Sequence, residues 1–170
     1  SYPGGSVNRA IFNVDNQPQI SMSRGVWKNA VDALLQESPK ADVSAYYYID
    51  EENDRVYINV KAEILENINS PLRFYGYLIE NDVTGSGQGY DQRNYLSGRS
   101  GYESYPTYDD PDPIQGYVHD EVVRDYLGGP FGMANSVPSS VHVGEVYNFS
   151  YSVPLQSHWD LDNVELIGVL

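Results

Sequence analysis

From residue 41 onward, apolar and polar side chains take turns along the chain. Val43, Ala45, Tyr47 and Ile49 mark a strand over Ala41 to Asp50, and Glu51-Glu52-Asn53-Asp54 is an acidic turn. Arg55 to Glu66 sets Val56, Ile58, Val60, Ala62 and Ile64 on one side and Tyr57, Asn59, Lys61 and Glu63 on the other, the alternation of a strand with one buried and one solvated face. After a turn over Asn67 to Pro71, Leu72 to Glu80 reads as the return strand. Glu145 to Val153 presents Tyr147, Phe149, Tyr151 and Val153 on one side, and Asn163 to Leu170 presents Val164, Leu166 and Leu170.

Two stretches break this period. Val26, Trp27, Ala30, Val31, Leu34 and Leu35 recur at three and four, predicting a helix over 23–37, capped by Ser23 and ended by Ser38-Pro39. Val118, Val122, Val123, Tyr126 and Leu127 lie three to five apart, which predicts a second, shorter helix over 117–127, stopped by Gly128-Gly129-Pro130. Residues 1–23 read as an irregular lead with one short extended piece and a turn at Asp15-Asn16-Gln17-Pro18. The fold class that follows is mainly β: an antiparallel immunoglobulin-like β-sandwich over 41–170, an N-terminal arm over 1–40 carrying the first helix, and one short helix after a long loop.

That loop, 83–116, is the feature around which the strands are arranged. It holds six Gly, five Tyr and five acidic residues without a sustained apolar period. Loops of this length in a compact domain are usually functional or disordered, and the tyrosines argue against disorder. Tyr90, Tyr95, Tyr102, Tyr105 and Tyr108, set among Gly, Ser and Asp, have the composition of paratope loops and carbohydrate platforms, which makes them candidate ligand-binding residues. The alternative is that the rings fold back over the sheet. Glu80 and Asp82 where the loop leaves, with His119 and Asp120 where it returns, are a candidate polar clasp. The same acidic ends, Glu80 or Asp82 with Asp120 or Glu121, are the residue types of a carbohydrate-processing acid and base, which need a separation of roughly 5 to 9 Å. Asp109, Asp110 and Asp112 offer hard oxygen ligands for Ca²⁺ but lack the EF-hand spacing, so a solvated turn is the preferred reading and no cofactor is expected.

Composition narrows the partners. A net charge of −14 and a pI of 4.3 disfavour nucleic acid and anionic lipid surfaces. The chain has no cysteine, which removes disulfides, thiolate metal sites and Cys nucleophiles. His119, His142 and His158 form no HExxH or HxH pair, no GxSxG elbow is present, and the alternation of Gly85, Gly87 and Gly89 is not followed by the Lys-Ser or Lys-Thr of a phosphate loop. Asn148-Phe149-Ser150 matches a glycosylation acceptor but falls inside an expected strand. No stretch reaches the roughly 18 apolar residues of a membrane helix. A chain opening on Ser1 is expected to be a processed product or a fragment, with any lipid anchor upstream.

The succession Leu78-Ile79-Glu80-Asn81-Asp82, a Gly/Tyr-rich excursion, Tyr117-Val118-His119-Asp120-Glu121-Val122-Val123-Arg124 and then Phe131-Gly132 resembles the twenty-eight-kilodalton outer-membrane lipoprotein family of Bacteroidetes such as Porphyromonas. The ending from Trp159 to Leu170 is similar to that family's closing strand. The opening Tyr2-Pro3-Gly4-Gly5-Ser6-Val7-Asn8-Arg9 with the Trp27 helix is similar to the tail of a thioredoxin-like region in longer relatives. Glu121 stands where the family often has a second His. The resemblance implies a lipid-anchored outer-membrane protein, periplasmic or surface-exposed, with an immunoglobulin-like sandwich. It implies an adhesin or receptor role toward a protein or carbohydrate ligand, or a structural part in envelope assembly, and no catalytic residues.

Overall fold

The computed structural model describes residues 4–170; Ser1, Tyr2 and Pro3, part of the opening likened to a thioredoxin-like tail, lie outside the described residues. Two units are formed, one ending at Lys40 and one running Ala41–Leu170. In the first, β1 (Gly4–Gly5), β2 (Phe12–Val14), β3 (Gln17–Gln19) and β4 (Met22–Ser23) make two small antiparallel sheets, β1 with β4 and β2 with β3. Asp15 and Asn16 sit at φ 51° and 61°, the left-handed pair that closes a tight β2–β3 hairpin. The lead is therefore more regular than one extended piece.

The helix α1 (Trp27–Leu34) is shorter than the 23–37 expected from its pattern. A 3₁₀ turn over Arg24–Val26 precedes it, and Ser23 makes no side-chain capping bond. Beyond Leu34 the amides of Gln36 and Glu37 donate to the carbonyls three residues back, at 3.2 and 3.0 Å, and Pro39 bars the residue before it from helical geometry. Of the expected apolar face only Ala30 is buried, and Val31 and Leu35 are exposed. Trp27 donates its indole N–H to the Met22 carbonyl at 3.0 Å, tying the helix start to β4.

In the second unit, β5 (Ala41–Asp50) and β6 (Arg55–Ile64) form a long hairpin whose turn is fixed by Asp50: its carboxylate accepts the Asn53 backbone N–H at 3.1 Å and the Asn53 amide at 2.9 Å. β7 (Tyr75–Glu80), β8 (Val122–Leu127), β9 (Val146–Pro154) and β10 (Val164–Val169) complete two three-stranded antiparallel sheets, ordered β5-β6-β9 and β10-β7-β8. The return strand begins at Tyr75 rather than Leu72 because the preceding residues are held by a loop instead of a strand. The Phe74 N–H donates to Ser136 Oγ at 2.9 Å, and its carbonyl accepts the Met133 N–H and the Tyr151 hydroxyl, each at 2.9 Å.

The stretch 117–127 does not form the expected helix. Val122–Leu127 is strand β8, paired with β7, with a bulge between Leu78 and Ile79: Leu78 pairs with Asp125 and Ile79 with Val123, so Arg124 is the extra residue. One inserted residue shifts the parity of every side chain beyond it, which turns a period of two into an uneven three-to-five spacing. That spacing imitates a helix.

Both sheets contribute to one core. From β6 come Val56, Ile58, Val60, Ala62 and Ile64, all at most 2% exposed, packed with Phe74, Leu78, Leu127, Val137, Val141, Trp159 and Val164. Burying such side chains contributes about 1.5–3 kcal/mol each relative to exposure. The Tyr47 hydroxyl crosses to the Val164 carbonyl at 3.0 Å. Gly168 marks a close approach: a Cβ there would lie 2.7 Å from Ala45 Cβ and 3.0 Å from Val60 Cγ1. Among the described residues no helix is long and apolar enough to cross a membrane.

Candidate functional site

The long excursion leaves β7 at Glu80 and returns into β8 at Val122. Asp82 and Glu121 take left-handed conformations, φ 57° and 56°, that turn the chain out and back in. Val83 and His119 exchange both backbone hydrogen bonds at 2.9 and 3.0 Å, forming the first rung. Side chains lock it. The Asp82 N–H donates to Asp120 Oδ1 at 3.2 Å, and the Glu121 N–H donates to Asn81 Oδ1 at 2.9 Å. His119 Nε2 lies 2.8 Å from the Tyr90 carbonyl, which requires that nitrogen to carry a proton, and the ring packs edge-on against Tyr117.

Of the four expected clasp residues, Asp120 brings its carboxylate and His119 its ring to this base, and Asp82 enters through its backbone N–H. Glu80 is turned elsewhere. It is 4% exposed; Oε2 accepts Arg124 Nε at 2.8 Å and Oε1 accepts the Asp160 N–H at 3.2 Å. Burial alone pushes its carboxyl up. The hydrogen bonds from Arg124 and Asp160, with the charges of Arg124 and His158, outweigh that and hold it below the ordinary carboxylate value. The pair fastens β7 to β8 where the bulge falls. Arg124 and Asn81 escaped sequence reasoning, Arg124 because a helical reading of its segment gave it no strand partner.

Further out, Gln92 and Ile114 exchange backbone bonds at 3.0 and 2.8 Å, and the Gly98 N–H reaches the Tyr108 carbonyl at 3.0 Å. Between these rungs sits Asn94, 6% exposed. Its amide donates to the carbonyls of Thr107 at 2.6 Å and Asp110 at 3.0 Å, its oxygen accepts the Leu96 N–H at 3.1 Å, and its own N–H donates to Asp112 Oδ1 at 3.0 Å. Asp112 Oδ2 pairs with Arg93 at 2.9 Å. One asparagine thus joins both legs. Its sequence signal is faint, an Asn in a polar loop.

Asp112 is accordingly a staple of the loop. Among the described residues no group of three or more His, Asp or Glu side chains is placed to hold a metal ion. The five loop tyrosines divide. Tyr95 is 74% exposed, Tyr90 and Tyr105 are also exposed, and Tyr102 and Tyr108 are half-buried. Arg93 stacks over Tyr95 at 5.7 Å and Arg99 over Tyr102 at 5.0 Å, while Tyr102 and Tyr105 pack with centroids 5.5 Å apart. An open cleft of about 500 Å³ in the excursion is lined by Gln88, Asp91, Gln92, Arg93, Pro113 and His119. Amide, carboxylate and guanidinium groups facing one cleft can both donate to and accept from a polar ligand.

Searches against family models, curated proteins and solved structures give no match to this chain.

Proposed function

We infer that this is a non-enzymatic recognition domain of the cell envelope, an adhesin or receptor-like module that engages a protein or carbohydrate ligand through the excursion 83–116. The observation that carries the reading is the pairing of internal order with exposed aromatics: a buried Asn94 holds both legs while Tyr95 is 74% exposed and Tyr90 and Tyr105 are 41% and 38% exposed. A loop already fixed in shape loses little conformational entropy on binding, and tyrosine supplies large amphipathic contact area with few rotamers to freeze. The two sheets serve as the rigid scaffold, taken here as an immunoglobulin-like sandwich. The outer-membrane setting, with a lipid anchor upstream, rests on the motif resemblance alone.

The test is a deletion of residues 86–112 that keeps the Val83–His119 rung, applied with the intact chain to arrays of extracellular proteins and glycans. The intact chain is expected to bind and the deletion to lose that binding while melting at a similar temperature. Equal binding by the two would remove the excursion from the function.

A further inference from the structure

The rings of the excursion already hold cations of their own chain. Arg93 lies over Tyr95 at 5.7 Å and Arg99 over Tyr102 at 5.0 Å, the attraction of a guanidinium for the negative face of an aromatic ring. Tyr90, Tyr95 and Tyr105 nonetheless stay exposed, and among the described residues no cation stacks on Tyr90 or Tyr105. Carboxylates are interleaved with these rings. Residues 83–116 hold Asp91, Glu103, Asp109, Asp110 and Asp112 against two arginines and no lysine. Asp112 is paired with Arg93 at 2.9 Å; among the described residues the other four form no ion pair, and Glu103, Asp109 and Asp110 are exposed. The loop fixes where they stand. The Gly101 N–H donates to Glu103 Oε1 at 2.9 Å, in the turn between Tyr102 and Tyr105, whose rings pack together. The Asp110 carbonyl accepts the Asn94 amide at 3.0 Å, which holds Asp110 against the residue that precedes Tyr95.

Charge selects the partner. With Arg93 and Asp112 cancelling, the excursion keeps four carboxylates against the one guanidinium of Arg99. A polyanion is repelled here and by the chain's net charge of −14. A neutral ligand would stack on the rings but make no use of the carboxylates. A guanidinium or ammonium group uses both, because the ring face and the carboxylate each attract it. We propose, resting on the assignment of recognition to the excursion, that its ligand is a basic segment of a partner protein. Arg and Lys side chains of that segment lie over Tyr90, Tyr95 and Tyr105 and pair with Glu103, Asp109 and Asp110. The carboxylates steer the segment in, and the rings hold it.

Surface binding of the full chain to an immobilised peptide tests it: about twelve residues alternating Arg and Lys with Gly and Ser, beside counterparts carrying Glu or Ser in place of the basic residues. Saturable binding to the basic peptide alone is expected, weakened about tenfold or more between about 50 and about 500 mM NaCl. Two variants that each remove two charges separate this from the general attraction of an acidic chain. Asp109→Asn with Asp110→Asn should weaken binding about tenfold, and Glu51→Gln with Glu52→Gln, in the exposed β5–β6 turn, by less than about twofold. Thermal melts confirm folding. Where the first variant melts early, Tyr95→Ala should weaken binding and Tyr95→Phe should keep it. No binding to the basic peptide, equal binding to the Glu or Ser peptide, or equal weakening by the two charge variants would overturn the proposal. The deletion of 86–112 tells its failure from that of the broader reading. If the arrays yield a neutral or acidic ligand that the deletion abolishes, the excursion still recognises and only the basic partner falls. If the deletion binds the basic peptide as well as the intact chain does, both fall.

Discussion

Replacing Asn94 with alanine removes a buried side chain that joins the two legs of the excursion. Three hydrogen bonds go with it: two to the carbonyls of Thr107 and Asp110 and one from the Leu96 N–H. Each is worth about 1 kcal/mol net, and a backbone group left enclosed without a partner costs about 1–3 kcal/mol. With some of the freed groups regaining water, the expected loss is about 2–4 kcal/mol, confined to this segment. The Val83–His119 rung lies at the base of the excursion, and the core of β6 contains no excursion residue, so the opening is sub-global. Hydrogen–deuterium exchange resolves it. The amides of Gln92, Leu96, Gly98 and Ile114 should exchange about 30- to 1,000-fold faster, the factor that 2–4 kcal/mol implies, while Val56 to Ile64 keep wild-type protection. Asn94→Asp keeps the acceptor for Leu96 but loses both donors, so it should resemble Asn94→Ala. Unchanged exchange in the excursion, or faster exchange spread evenly into β6, would refute the role of Asn94 as the local hub.

Cutting the Glu80–Arg124 pair by Arg124→Ala leaves a carboxylate that is 4% exposed with one partner fewer; about 3–5 kcal/mol should be lost, seen as a lower urea midpoint. Because folding holds the Glu80 carboxyl below its ordinary value of 4.5, its contribution is complete above that pH and fades as pH falls through the lower folded value. Acid titrations of Glu80→Gln should therefore show a shallower loss of stability below pH 4.5 than wild type, and parallel curves would contradict the assignment. Gly168→Ala places a methyl 2.7 Å from Ala45 Cβ, where no flexible side chain can yield; about 1–3 kcal/mol of destabilisation should appear as a lower Tm.

How much of this was legible in the sequence depended on whether a residue's partner was implied by a regular period. The alternation in β6 named all five of its core residues because each faces the same way for ten residues. The β5–β6 hairpin and the closing strands were readable for the same reason. The period failed at β8, where Arg124 bulges out and shifts the phase, so a strand imitated a helix. It also overextended α1, since an apolar stripe says which face is apolar and not how far the backbone stays helical; 3₁₀ turns took both ends. At the excursion, composition indicated tyrosines for contact and acidic residues for a clasp. It could not separate Glu80, buried against Arg124, from Asp82 and Asp120, which work at the loop base. Asn94 was invisible because its partners are backbone carbonyls, which carry no signature of residue type.

Recognition by a pre-shaped aromatic excursion is tested most directly by surface binding to whichever array ligand the intact chain captures. Wild type is compared there with a variant carrying Tyr90→Ser, Tyr95→Ser and Tyr105→Ser, the exposed rings of the excursion. These side chains make none of the Asn94 hydrogen bonds, so the amides of Gln92, Leu96, Gly98 and Ile114 should keep near wild-type protection, and thermal melts register the loss of the Tyr102–Tyr105 packing. Affinity should fall by about 100-fold or more, mostly through faster dissociation. An affinity within about threefold of wild type, with the fold intact, would contradict recognition through this loop.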